Sequence, residues 1–301
     1  MPGRWTVILR DLADAARPIR PQDCHGLLNR WWPQPAGEHA LAKPWAMNGW
    51  PEPLGDRIHH WTLSWLGGDA PPLDPEEAVG RVQRIGDHLL EPLSVTRTFD
   101  RGYADLLGTA GRRRPARSAR LHTRTPVVTT ARGAAGEHIP HVLPGPRRLF
   151  GSVHRSGGTV VGGSGAVGAV ARFAPPRLAE PWLDLAADAL ERVRRSPLAG
   201  EEPRTAEYRR AGSLTVPGWQ GAFRLELATG DGRHAAAFAA LLELVELTGI
   251  GRYTAQGFGA VRVDTVTPEE PGRRKAAHRA RPVRPRPHTV TEEECGGLLF
   301  D

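Results

Sequence analysis

A glycine-rich segment near the end of the chain has the residue types that bind anions. It covers residues 248–262 and contains two Gly-x-Gly units, Gly249-Ile250-Gly251 and Gly257-Phe258-Gly259, with Arg252 between them. Glycine reaches positive φ without a steric penalty, and successive backbone amides freed in such a bend attract negatively charged groups. The segment therefore predicts a phosphate-binding site, and the alternative is an ordinary turn between a helix and a strand.

Histidines are candidates for proton transfer because the pKa of imidazole lies near neutrality. The candidates in the first part of the chain are His25, His39, His59 and His60. A second group, His122, His138 and His141, is close in sequence but has no acidic or cysteine partner at the spacing of a metal site. We therefore expect neither a metal ion nor another cofactor.

The charge of the chain favours a nucleic-acid partner. The formal net charge is +7, and lysine occurs only at Lys43 and Lys275, so that arginine supplies nearly all of the positive charge. Guanidinium groups bind phosphates with two hydrogen bonds and stack on bases. A basic tract over residues 112–132 contains no acidic residue. We expect its arginines to bind phosphates, the alternative being a solvated face: Arg112, Arg113, Arg114, Arg117 and Arg120.

Other classes of protein fit the sequence poorly. Cys24 and Cys295 are the only cysteines, which are too few for a disulfide framework or a four-thiolate zinc site. The first residues lead directly into a strand-like run, and no stretch has the length and apolar character of a membrane span. These observations predict a cytoplasmic protein that does not enter a membrane.

The first hundred residues have the pattern of a split ferredoxin-like fold, βαββαβ. Alternating and helix-spaced apolar residues predict, in order, a strand at 5–12, a helix at 21–32, a short strand at 45–48, a strand at 57–66, a helix from 74 to about 90 and a strand at 93–99.

A second domain is expected to begin in the basic tract. Its predicted elements are an extended segment at 120–130, a short strand at 138–143, a helical turn at 145–154, a flexible insertion or wide hairpin at 157–168, a helix at 181–194, two strands within 211–228, a helix at 233–247 and a strand at 257–264. We therefore predict domains at 1–110 and 111–266, followed by a disordered tail at 267–301 that is rich in Pro, Arg and Glu.

The glycine-rich segment, placed between a helix and the last strand, resembles the C-terminal loop of RAMP-superfamily RNA-binding proteins. The resemblance is specifically to the CRISPR-associated (Cas) family-six endoribonucleases. Shorter matches follow in the same order along the chain, at Glu38-His39 with Lys43-Pro44-Trp45 after the first helix, at Thr125-Pro126 and at Gly218-Trp219-Gln220-Gly221. The resemblance implies an α+β fold of two tandem ferredoxin-like (RRM-like) domains with antiparallel sheets.

The same resemblance implies a function and a site. The protein would bind CRISPR repeat RNA and cleave precursor crRNA without a metal, by attack of a ribose 2′-OH that leaves 2′,3′-cyclic phosphate and 5′-OH ends. His39 would move the proton, and Lys43 would stabilise the charge on phosphorus. Some members of the family also use a tyrosine near this site, but the first tyrosine here is Tyr103. The implied RNA contacts are Gly249, Gly251, Arg252, Gly257, Phe258 and Gly259.

Two other functions fit the same residues. One is a noncatalytic RAMP subunit that holds guide RNA among other subunits of a CRISPR effector complex. The other is a ferredoxin-like RNA-binding domain unrelated to CRISPR. The sequence also leaves open whether His25, His59 or His60 replaces His39, and whether two copies of the chain form a homodimer.

Overall fold

A computed structural model describes residues 1–13, 19–33, 43–108, 115–132, 138–156, 159–211 and 214–268. Within these ranges, no helix combines the length and the apolar composition needed to cross a bilayer. The described chain contains two antiparallel sheets, one from each half of the sequence, together with three separate two-stranded hairpins.

The first half contains one helix and six strands. They are β1 (Gly3–Asp11), α1 (Pro21–Trp31), β2 (Trp45–Met47), β3 (Glu52–Gly55), β4 (Ile58–Trp65), β5 (Gln83–Ile85) and β6 (His88–Asp100). The sheet order is β2-β4-β1-β6-β5, with β3 paired to the outside of β4. Strands β2, β4, β1 and β6 are thus arranged as in a ferredoxin-like fold.

The second helix of this first repeat is missing, and the helix predicted from residue 74 to about 90 is wrong. A single 3₁₀ turn (Pro75–Ala78) is followed by the β5–β6 hairpin. Asp74 caps that turn by accepting a hydrogen bond from the Glu76 amide at 3.1 Å. Gly80 and Gly86 then adopt φ values of +73° and +57°, which no helix can contain. The capping pattern therefore predicted the start of the turn correctly, but the two glycines prevent it from continuing as a helix.

The core of the first half is dominated by tryptophan. Alternate residues of β1, namely Trp5, Val7 and Leu9, point toward α1 and are fully buried. This follows from the two-residue period of a strand, which places every second side chain on one face. Six tryptophans belong to this core cluster: Trp5, Trp31, Trp32, Trp45, Trp61 and Trp65.

The second half contains more helix. Its elements are α2 (Tyr103–Leu107), β7 (Ala116–Thr123), β8 (Thr130–Arg132), β9 (His138–Pro140), α3 (Pro146–Phe150), β10 (Val153–Ser156), β11 (Thr159–Gly163), α4 (Gly165–Phe173), α5 (Pro176–Glu191), β12 (Val193–Pro197), β13 (Arg204–Ala211), β14 (Leu214–Gln220), β15 (Ala222–Leu227), α6 (Gly232–Thr248) and β16 (Val261–Pro268).

The second sheet forms a complete ferredoxin-like repeat. Its order is β12-β15-β7-β16, and α5 and α6 are the two crossover helices. The β13–β14 hairpin is inserted between β12 and β15. The Gly/Ser-rich residues predicted as an insertion or wide hairpin form β11 and the first turns of α4. The fold predicted from the resemblance, two tandem ferredoxin-like repeats with antiparallel sheets, is confirmed.

Helix α6 has clear sequence signals at both ends. The Asp231 carboxylate accepts hydrogen bonds from the Arg233 and His234 amides, and the helix ends at Gly249, whose φ is +70°. The core of this half consists mainly of leucine, alanine and valine side chains from α4, α5 and α6. Tyr103 and Leu106 of α2 also pack in it, although they precede residue 110. The division into domains at that residue stays a prediction.

Candidate nucleic-acid interface

The glycine-rich segment forms a tight bend between α6 and β16. Gly249, Gly251, Gly257 and Gly259 have φ values of +70°, +77°, +80° and +71°. At Gly259 a Cβ atom would overlap the carbonyl oxygen of Ile250, so any other residue would both strain the backbone and displace its neighbour. The glycines thus have the conformation that their spacing predicted.

Five amides of the bend are paired inside the protein and so do not belong to the cradle that the sequence predicted. The Gly249 amide donates to Val245 at 2.8 Å, the Gly257 amide to Thr254 at 3.0 Å and the Gly259 amide to Pro126 at 2.8 Å. The amides of Arg252 and Phe258 also donate to backbone carbonyls inside the protein. The positive φ angles therefore fold the chain against itself, and these five amides do not face a ligand.

The side chains of the bend differ in their exposure. Phe258 is fully buried and packs edge-on against Trp50 and Tyr253, so it does not lie at the surface where RNA would bind. Arg252 is exposed, and its guanidinium lies 5.5 Å from the centre of the Tyr253 ring. Arg252 is thus the residue through which this bend could contact a phosphate.

The bend also joins the two halves of the protein. The Trp50 indole donates to the Gln256 carbonyl at 3.2 Å, and a Cβ at Gly257 would lie 2.5 Å from the same indole. His25 on α1 has its Nδ1 2.9 Å from the Ala255 carbonyl oxygen. One nitrogen of the His25 ring is therefore occupied at this junction, which favours a structural role over a catalytic one.

The predicted catalytic pair is only partly visible. His39 lies outside the described residues, whereas Lys43 lies just before β2 and is half-buried. Burial lowers the pKa of Lys43, and the nearby positive charge of Arg172 on α4 lowers it further. Backbone contacts also bring the segment after Lys43 close to the end of α4. The Leu66 amide donates to the Pro44 carbonyl at 2.6 Å, and a Cβ at Gly68 would lie 2.7 Å from the Phe173 carbonyl.

The remaining histidine candidates lie on β4, near a buried pair that the sequence did not indicate. His88 Nδ1 donates to Asp11 Oδ2 at 2.6 Å, and the two residues are 2% and 7% exposed. Burial lowers the pKa of His59, Asp11 opposes that shift, and His88 adds to it. Asp11 and His88 are far apart in sequence, and only the pairing of β1 with β6 brings them together.

Tyr103 is not available for catalysis. Its hydroxyl donates to the Leu66 carbonyl at 2.7 Å, the residue is 4% exposed, and burial raises the pKa of the phenol. The first tyrosine of the sequence therefore has a structural role, and the tyrosine that some members of the family use is not supplied by Tyr103.

Two arginines of the basic tract that were predicted to bind RNA, Arg117 and Arg120, have partners inside the protein. Arg117 donates to the Gly230 carbonyl at 3.0 Å, and Arg120 forms ion pairs with Glu201 and Asp264 on the open face of the second sheet. Arg112, Arg113 and Arg114 lie outside the described residues. Intramolecular partners thus occupy the two arginines of the tract that the structure describes among those predicted to bind RNA.

Two members of the other histidine group, His122 and His141, contact different partners. His122 lies 3.8 Å from Glu201, and His141 accepts a hydrogen bond from Arg148 at 3.1 Å; the side chain of His138 is outside the description. Within the described ranges, no three histidine, cysteine, aspartate or glutamate side chains are arranged to hold a metal ion.

A basic cavity adjoins the bend, and sequence reasoning missed it. It has a volume of about 300 Å³, and its lining includes Arg147, Arg148, Ser152, Ser164, Gly251 and Arg252. The residues come from α3, from the two residues that follow it, from the start of α4 and from the bend. The signal in the sequence was the Arg147-Arg148 pair, but nothing in the linear pattern indicated that it would meet Arg252.

Comparison with known proteins gives the fold. No family model matches the chain, and no curated protein matches it. Two Cas6 proteins solved as product complexes are 21% and 20% identical over 87% and 88% of this chain, covering 100% and 99% of their own lengths with a TM-score of 0.62 in each case. A further structure of the first of these two proteins, the Cas6 of Thermus thermophilus, is 18% identical over 87% of this chain and 98% of its own, with a TM-score of 0.55. This chain therefore has the tandem ferredoxin-like fold of the Cas6 proteins, which confirms at the level of the fold the resemblance inferred from the glycine-rich segment.

Proposed function

We propose that this protein is a Cas6-type endoribonuclease that binds CRISPR repeat RNA and cleaves precursor crRNA. The observation that carries the proposal is the match to Cas6 product complexes along their full length, with the glycine-rich bend between the last helix and the last strand. The exposed Arg252 and the adjoining basic cavity support RNA binding at that bend.

The proposed reaction needs no metal ion. A ribose 2′-OH attacks the adjacent phosphorus, the 2′-O–P bond forms, and the bond from phosphorus to the 5′-oxygen breaks. One proton leaves the 2′-OH and another reaches the 5′-oxygen, which gives a 2′,3′-cyclic phosphate and a 5′-OH. In-line positioning, a group that moves protons and a fixed positive charge together lower the barrier of such a reaction.

Lys43 is proposed to supply the fixed charge, and His39 is proposed to act as the base or the acid. Partial burial of Lys43 supports this role, because a cation removed from water interacts more strongly with charge that develops on phosphorus. The proximity of Arg172 adds a second positive charge to the same region.

The second candidate function is a noncatalytic subunit that holds guide RNA in an effector complex. The observation in its favour is that Tyr103, the first tyrosine in the sequence, is buried with its hydroxyl bonded to the Leu66 carbonyl. A ferredoxin-like RNA-binding domain outside CRISPR systems is the third. Other effector subunits and a second copy of this chain stay open as partners.

The test is cleavage of labelled repeat RNA in EDTA under single-turnover conditions. We expect the unmodified protein to cleave once per repeat, and His39→Ala and Lys43→Ala to slow cleavage by roughly 100-fold or more while RNA binding is retained. A deoxyribose at the cleavage position should abolish the reaction without loss of binding, because the attacking hydroxyl is gone.

Matched controls are His122→Ala and Lys275→Ala, which remove the same side-chain types elsewhere and should leave the rate unchanged. Binding of repeat RNA without cleavage by the unmodified protein would favour the noncatalytic subunit. Binding that ignores the sequence and the hairpin of the repeat would favour the general RNA-binding domain. Unchanged cleavage by His39→Ala would remove His39 from the mechanism.

A further inference from the structure

The cavity beside the bend concentrates positive charge on a concave surface. Arg147 and Arg148 come from α3 and Arg252 from the glycine-rich bend, and among the lining residues that the structure describes there is no acidic one. Three guanidinium groups around one cavity repel each other, and an anion placed between them relieves that repulsion. Guanidinium groups also match the geometry of phosphate oxygens, with which they form paired hydrogen bonds.

Two backbone segments in contact form the floor of the cavity. A Cβ at Gly165 would lie 2.6 Å from the Phe150 carbonyl, and one at Gly151 would overlap the Ser164 carbonyl. The Ser164 amide donates to the Ser152 carbonyl at 2.9 Å and ties the two segments together. Only glycine allows so close an approach, and the cavity is therefore built into the fold rather than left by loosely packed side chains.

Hydroxyl groups add hydrogen-bonding capacity around this floor. Ser152 and Ser164 are both exposed and both line the cavity. Ser164 precedes the first residue of α4, yet its side chain makes no capping hydrogen bond. The Ser164 hydroxyl therefore does not cap the helix, and it can donate a hydrogen bond to a phosphate oxygen.

The arginines have partners that a phosphate could outcompete. Arg147 forms an ion pair with Glu191, but both side chains are more than half exposed, and such surface pairs contribute little. Arg148 donates to His141 Nδ1 at 3.1 Å, a contact that orients one edge of its guanidinium. An exposed ion pair and a single hydrogen bond to a histidine leave both guanidinium groups able to turn toward a phosphate.

We propose that this cavity binds one internal phosphodiester of single-stranded RNA, so that it anchors the substrate at a point separate from the scissile phosphate. The inference rests on the proposed function for the identity of the RNA. A volume of about 300 Å³ is at the lower end for ligand sites and suits one nucleotide rather than a duplex. The contact would be made by Arg148, Arg252 and the two serine hydroxyls, and it would not read the base.

The test combines Arg148→Gln and Arg252→Gln in one protein and measures the Kd for repeat RNA and for oligouridylate at several salt concentrations. We expect binding of both RNAs to weaken by about tenfold at low salt. The slope of log K against log salt should fall by about 0.7 for each lost phosphate contact. The matched control is Arg177→Gln with Arg233→Gln, which removes the same charge from exposed positions on α5 and α6 and should change neither quantity appreciably.

Neutral methylphosphonate linkages, introduced one at a time, locate the phosphate. In the unmodified protein, one internal linkage should cost about tenfold in affinity, and that cost should disappear in the double variant because the partner is gone. If no linkage is coupled to the two arginines, or if the effect follows a 5′-terminal phosphate instead, the proposed internal site is wrong. If a linkage in oligouridylate is coupled to the two arginines but repeat RNA is not cleaved, the cavity is a phosphate site and the endoribonuclease proposal is wrong. If repeat RNA is cleaved but no linkage is coupled, the endoribonuclease proposal stands and the phosphate site is wrong.

Discussion

The two halves of the protein cover the same kind of sheet by different means. In the second half, two long helices, α5 and α6, lie on the sheet, and the core is mainly leucine, alanine and valine. Among the residues described in the first half, α1 is the only α-helix, because the second helix is reduced to a 3₁₀ turn. Six tryptophans fill the core there. An indole buries a large apolar area, and a cluster of them occupies volume that a helix would otherwise take.

This difference shows that a ferredoxin-like repeat can lose one of its two helices while the inner face of its sheet stays buried. It also has a cost in hydrogen bonding. In the described structure, the indole nitrogens of Trp5, Trp31, Trp45 and Trp61 are buried without a hydrogen-bond partner in the protein. These four tryptophans therefore contribute through packing, whereas Trp32 and Trp65 also donate to the carbonyls of Leu73 and Asp69.

The largest expected effect comes from removing one of these indoles. Trp61→Ala should lower the free energy of unfolding by about 4 kcal/mol, because the side chain is fully buried and its loss leaves a cavity. Leu241→Ala, in the second core, should cost about 3 kcal/mol. Urea unfolding followed by circular dichroism measures both. Trp61→Phe is the control and should cost less than half as much as Trp61→Ala, since no hydrogen bond is lost; equal costs would contradict the packing role.

The junction between the halves should respond to one added methyl group. Gly259→Ala should destabilise the protein by about 3 kcal/mol, because the alanine would be strained at positive φ and would press on Ile250. The matched control is Gly200→Ala, which has a φ of +80° but no atom within 4 Å of the added Cβ, and should cost only about 1 kcal/mol. Thermal unfolding of the two variants measures the decrease in Tm. Both share the strain of a positive φ, so the difference between the two decreases is due to steric overlap; equal decreases would show that close packing at the bend contributes nothing.

A smaller effect, which depends on pH, is expected from the buried pair in the first half. Burial alone would raise the pKa of Asp11, but hydrogen bonds from His88 and from the Ala13 and Leu89 amides, with the attraction to His88, lower it overall. Because the folded pKa is below the unfolded value of 3.8, the stabilisation is present above about pH 4 and is lost as the pH falls through the lowered value.

Asp11→Asn should therefore cost about 2 kcal/mol at pH 7. It should also flatten the decline of stability between pH 4 and lower pH. Urea unfolding at a series of pH values measures this dependence. The control is Asp100→Asn, which removes a partner of Arg97 from a half-exposed ion pair and should cost less than about 1 kcal/mol. A variant that loses stability equally at every pH would show that the Asp11 charge is not involved.

Local patterns predicted most elements of the fold, and contacts between distant segments account for what they missed. Strand β1 was predictable from its alternation of apolar residues, and helix α6 was predictable because it is rich in good helix formers and apolar over a broad face. The helix expected from residue 74 was not formed, since Gly80 and Gly86 outweighed a good capping signal. The positive φ of the glycine-rich bend was predictable from residue type, but the amides of Arg252 and Gly259 donate to Val128 and Pro126, more than a hundred residues earlier.

The same reason limits what could be predicted of the site. Arg252 was identified from its neighbours in sequence, whereas Arg147 and Arg148 become part of the interface only because α3 packs beside α4. The pairing of Asp11 with His88 depends in the same way on the register of β1 with β6. The catalytic role of His39, which the resemblance implied, stays a prediction that the cleavage assay tests.

Helix α4 links the two basic regions. Its first turn borders the arginine-lined cavity, and its last turn carries Arg172, which lies close enough to Lys43 to lower the pKa of that lysine. Nine residues of helix span about 13 Å, and a hydrogen-bonded helix neither stretches nor shortens. If both regions hold phosphates of one RNA strand, α4 fixes the distance between these two phosphates. The number of nucleotides between the anchored and the cleaved linkage would then be set by the protein rather than by the length of the transcript.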